Sequence, residues 1–186
     1  MPYYSYLCAN QNKLTMTTFP LVTTIISLAL FAGFVGLGIR KFGLLPSYSA
    51  YSSKWNEAVP IHNMNLWSIV TIAAALLLVP AMVERGQGNP WQFLGFFAPL
   101  YLVLVGFTPE WETNPTQHKV HVIGAISCAA ISAVWLAVIC HLAWRIGVSF
   151  LVMLCAAFAT KSIKTCYVFW LEMTMFATVY VALIVP

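Results

Sequence analysis

From Phe19 to Ile39 the chain carries no charged residue, a run as long as the ~20 residues a helix needs to cross a bilayer core ~30 Å thick. One such stretch already limits the fold. In hydrocarbon every backbone N–H and C=O must find a partner inside the protein, which only helices and closed barrels achieve. Further apolar stretches cover about Met64 to Val83, Phe93 to Thr108, Lys119 to Cys140, Ile146 to Thr160 and Thr165 to Val185. With 8% charged residues, against about 25% in soluble domains, an ordinary water-soluble globule is excluded. The expectation is an all-α polytopic integral membrane bundle of six transmembrane helices, occupying residues 17–186 as one domain after a short polar segment, 1–16. Five helices is the alternative, with Ile146 to Thr160, short for a crossing, re-entrant or buried.

The boundaries carry their own signals. Arg40 and Lys41 close the first stretch, and no small-residue cleavage site accompanies it, so it reads as a retained helix. The segment FGLLPSYSAYSSKWNEAVPIHN, with Pro46 and Pro60, reads as a polar, aromatic-rich loop. Glu84 and Arg85 read as a solvated boundary pair, and Pro99 predicts a kink in the third span. The net charge of +4 is spread over single or paired cations, which excludes a nucleic-acid-binding run. Lys13, Arg85 and Arg145 fall on one side of a six-helix layout and Arg40, Lys41, Lys54, Lys119, Lys161 and Lys164 on the other, so the first loop is expected to face the cytoplasm. The five cysteines read as small packing residues.

Polar residues collect at the first-loop side. His62 and Asn65 open the second span, Glu110, Trp111 and Glu112 fill the third loop, and His118 and His121 open the fourth span. Stepping from His121 by fours gives Ala125, Ala129, Ala133 and Ala137, a small-residue strip of the kind on which membrane helices pack closely. His121 is therefore expected to face an interior seam. His62, Asn65, Ser68 and Thr71 repeat the idea at spacings of three. Glu172 enters the last span about seven residues deep, and an intramembrane carboxylate faces the interior with a partner, here His121, His62 or Arg145.

Three chemistries are open to these residues. His118 and His121, with an acid or His62, could hold zinc and activate water; His62 and His121 could ligate haem; or the cluster could receive a lipid headgroup or small ligand. Taken singly, each histidine is also explained as an interfacial residue satisfied by water or loop carbonyls.

The order of features, from LPSYSAYSSKW through FTPEWETNPTQHKVHVIGA to the acid in the last helix, resembles the six-helix bacterial membrane families similar to the Frag, DRAM and Sfk-type proteins, and more distantly the CREST membrane hydrolases. The resemblance implies a six-helix fold in a bacterial inner membrane and points to Ser49 or Ser52, His118 or His121, and Glu172 as catalytic candidates. The chain departs from the hydrolases in containing no Asp and no histidine in its last helix. The expected function is binding or handling of a membrane lipid or small amphiphile, with His62, Asn65, Glu110, Trp111, Glu112, His118, His121 and Glu172 around the ligand. The alternatives are a metal-dependent lipid or amide hydrolase, with zinc on His118 and His121, and a non-catalytic subunit that assembles, with itself or another chain, through its small-residue faces, including Gly33, Gly36 and Gly38.

Overall fold

A computed structural model describes residues 16–58, 65–140 and 143–185, with backbone alone for 143–146. Among the described residues there are seven helices and no strand: α1 (Thr18–Phe42), α2 (Ala50–Ala58), α3 (Leu66–Arg85), α4 (Leu94–Gly106), α5 (Pro115–Val138), α6 (Ala143–Ala159) and α7 (Tyr167–Ile184). Helices α1, α3, α5 and α7 are long and apolar enough to cross a membrane. The 13-residue α4 and 17-residue α6 are apolar but shorter. At 1.5 Å per residue α4 is roughly 20 Å long, less than a bilayer core. The structure therefore carries four helices of spanning length rather than the six expected.

The helix starts follow local chemistry. The Asn65 side chain accepts the Ser68 N–H at 2.8 Å, and that of Asn114 accepts the Thr116 and Gln117 N–H groups, with Pro115 at the first helical position. Gly43 ends α1 at φ +76°, where a side chain would be strained. At the start of α1 a remote residue intervenes: both Glu84 carboxylate oxygens accept from Thr17, at 2.9 Å from its N–H and 3.1 Å from its hydroxyl. Arg85 reaches the Ala182 carbonyl at 3.4 Å. The pair expected to be merely solvated instead joins α3 to the start of α1 and the end of α7.

Helix α3 packs along α1 on one side and α4 on the other, α4 packs along α5, and α7 touches α1, α3 and α5, closing the arrangement into a ring. Helix α6 lies outside it against α7. Close approach of α3 and α4 depends on Gly95, where an added Cβ would lie 2.6 Å from the Met82 carbonyl oxygen. The outer surface is apolar, with Phe19, Ile123, Ile126 and Phe158 each more than 60% exposed, whereas Thr24, Ser27, Asn65, Ser68 and Thr71 are buried. This inside-out distribution suits a hydrocarbon solvent, in which polar groups must be satisfied internally.

The segment after α1 departs from expectation. It is not an open loop: nine of its residues form α2, and it folds into the bundle. Tyr51 lies flat on Gly38, whose hypothetical Cβ would sit 2.8 Å from the ring, and Trp55 packs against Phe34 and Phe42 with centroids 5.4 and 5.2 Å away. Burying these aromatic faces supplies what a nine-residue helix lacks by itself.

Candidate functional site

The buried segment is anchored at both ends of its path. The Pro46 carbonyl accepts the Phe169 N–H at 2.9 Å, satisfying a first-turn donor of α7. The Tyr48 N–H donates to the Glu172 carboxylate at 2.6 Å. The Tyr48 ring then enters the bundle between Phe31 (5.1 Å), Trp67 (5.8 Å) and Phe176 (5.9 Å), and its hydroxyl pairs with Thr71 Oγ1 at 2.9 Å. Burial pushes the Tyr48 phenol above its ordinary pKa, so it remains neutral. Glu172 thus has an interior partner, as a carboxylate at that depth requires, but it is a backbone N–H rather than His121; His62 and the Arg145 side chain lie outside the described residues.

One residue further on, Ser49 meets His121. The His121 Nε2 lies 2.9 Å from Ser49 Oγ, and its Nδ1 lies 2.8 Å from Thr108 Oγ1. The Thr108 hydroxyl donates its only proton to the Val105 carbonyl at 2.6 Å. Its oxygen can then only accept, so Nδ1 carries the imidazole proton and Nε2 is left to accept the Ser49 hydroxyl proton. Trp111 holds the ring from one face, stacked at 4.7 Å and 16°, and its indole N–H donates to the Ser49 carbonyl at 3.3 Å.

The other polar candidates build the layer around this pair. Ser52 donates to the Pro109 carbonyl at 2.8 Å and receives Asn65 Nδ2 at 2.9 Å, so both are buried in structural bonds between α2, α3 and the third loop. His118 is exposed, with Nδ1 3.2 Å from the Trp111 carbonyl and its ring stacked on Trp111 at 5.8 Å. Glu110 and Glu112 are exposed; Glu112 accepts the Ser53 hydroxyl, and the Glu110 backbone N–H donates to Gln117. Among the described residues no three His, Cys, Asp or Glu side chains converge as a metal site would require, and both ring nitrogens of His121 are engaged by hydroxyl groups. The described residues by themselves therefore do not assemble a zinc site; His62 lies outside them.

Next to this layer lies a cavity of about 170 Å³ between α3, α4, α5 and α7. Leu78, Leu102, Val105, Met175 and Phe176 give it apolar walls, and Ser49, Ser132, Glu172 and Tyr180 are also among its lining residues. His121, His118, Glu110 and Glu112 are not among its lining residues. Of the alanine strip on α5, Ala125 and Ala129 line this space, Ala125 also packing against the core, and Gly124 beside them stands close to α4, an added Cβ lying 3.1 Å from Val105. Ala129 and Leu171 are both lining and exposed, so the cavity reaches the outer surface between α5 and α7. Cys128 also faces it; Cys166 is buried and Cys155 exposed.

Sequence reasoning placed Ser49, His121 and Glu172 among its candidates and Tyr48 among the walls of a ligand pocket, and overlooked Thr108 and Tyr180. Thr108 precedes Pro109, where a helix is expected to stop and a side chain to turn back on the last turn. Comparison of the chain with protein-family models, with curated proteins and with solved structures finds no match.

Proposed function

We propose that the chain is an integral membrane protein of six crossings that binds a small amphiphile, entering sideways from the bilayer between α5 and α7. Six crossings are supported by α4, which is embedded between α3 and α5 despite its length, and by the apolar α6 alongside α7. The observation that carries the function is the cavity itself: apolar walls reach the lipid-facing surface, and Glu172 and Ser49 are among the residues that line it. An apolar cavity of ~150 Å³ accommodates a ring of six carbons. The 170 Å³ available here suits a short alkyl segment rather than a whole lipid tail. Its polar end would meet Glu172 and Ser49.

Native mass spectrometry in mild detergent with octanol, octylamine and octanoate tests the function. The expected result is one bound molecule per chain for at least one of these probes. Ala129→Trp, which fills the cavity, should abolish it. Glu172→Gln should weaken the preferred probe by about tenfold or more, the weight of a hydrogen bond to a charged group. Binding indifferent to both substitutions would remove the cavity as the site.

A further inference from the structure

We infer that Ser49 is a nucleophile, with His121 as its general base, for acyl transfer from an ester or thioester whose acyl chain lies in the cavity; this assignment rests on the amphiphile-binding function proposed above. Three observations converge on it. The hydroxyl and Nε2 are 2.9 Å apart, within the range for proton abstraction. The Thr108 hydroxyl, committed to the Val105 carbonyl, fixes the tautomer that leaves Nε2 as the acceptor. Ser49 also lines the cavity, whereas His121, 4% exposed, is covered by Trp111 and Trp67 and reaches it only through Ser49. A nucleophile, its base and a third group orienting the base are the parts that activate a serine. Thr108 takes the orienting place here as a positioning residue.

The step balances with the groups named. Ser49 Oγ bonds to the carbonyl carbon while its proton passes to Nε2, and the bond from that carbon to the leaving oxygen or sulfur breaks. The leaving group takes the proton from Nε2. Water then attacks the acyl-serine with the reverse proton route, giving a carboxylic acid and restoring Ser49. Ser52 is unsuited to the same role, because its hydroxyl proton is donated to the Pro109 carbonyl.

The test treats the full chain in mild detergent with octyl fluorophosphonate. Attack by Ser49 forms an O–P bond and expels fluoride, the proton going to Nε2. The expected result is one adduct per chain by intact mass, mapped to Ser49 in the unsubstituted protein. Ser49→Ala and His121→Gln should each lose it by at least tenfold while eluting as a single helical species, and Ser53→Ala should label normally. For Thr108→Val the pH profile of labelling should shift, which a purely structural role would not produce. No adduct at Ser49 in protein that still binds an octyl probe would overturn the nucleophile and leave the binding function standing. An adduct at Ser49 that Ala129→Trp does not block would keep the nucleophile and remove the cavity as its supply.

Discussion

The Glu172 carboxylate, on the last helix, accepts the backbone N–H of Tyr48 across 2.6 Å and so fixes the segment that follows the first helix. Glutamine keeps an acceptor oxygen at this place, whereas alanine strands a buried donor. Glu172→Gln should lower stability by about 1 kcal/mol or less and Glu172→Ala by about 1–3 kcal/mol. Thermal unfolding in detergent, followed by circular dichroism, separates the two; equal losses would mean that the bond to Tyr48 contributes little.

Tyr48 and Thr71 form a hydroxyl pair at 2.9 Å with both residues buried. Tyr48→Phe should cost about 1–3 kcal/mol, because Thr71 loses its partner in a place water does not reach. Adding Thr71→Val should recover part of that loss, and a double-mutant cycle should give a coupling of about 0.5–1.5 kcal/mol. Strictly additive losses would rule the pair out as a stabilising contact.

Two glycines should respond oppositely to alanine. At Gly95 the new Cβ would stand 2.6 Å from the Met82 carbonyl oxygen, so α3 and α4 must part, at a cost of about 1–3 kcal/mol. At Gly36 nothing lies within 4 Å, and the substitution should be neutral or stabilising by up to about 1 kcal/mol through helix propensity. The melting temperatures of the two variants give the comparison directly.

Glu84 acts as a remote cap for α1 through Thr17. Glu84→Ala should weaken that helix start by about 1 kcal/mol, the usual weight of a lost cap. Amide hydrogen exchange should then accelerate in the first turn of α1 and leave α4 and α5 unchanged. Uniform acceleration would point to a global loss instead.

Much of the helical plan was legible. The apolar stretches announced α1, α3, α5 and α7 because satisfying a helix backbone is a local matter, and all of them fall within a few residues of the expected limits. Spacing by three put Asn65, Ser68 and Thr71 on one buried face, and spacing by four turned His121 inward. Helix α2 was hidden by its serines and the flanking Pro46 and Pro60. Its only internal signal is Tyr51 and Trp55, four residues apart, and it forms because α1 offers Gly38, Phe34 and Phe42 to receive them.

The sequence by itself determined that this is an all-helical chain with an apolar exterior, which residues turn inward, and that Glu172 must have an interior partner. These follow from periodicity and from the cost of placing polar groups in hydrocarbon. Only the tertiary structure decided what those inward residues meet. Glu172 could have paired with any of several groups, and Ser49 lies 72 positions from His121. Such pairings depend on where α7 closes the ring and how far the segment after α1 descends into it. Distance along the chain carries no record of either.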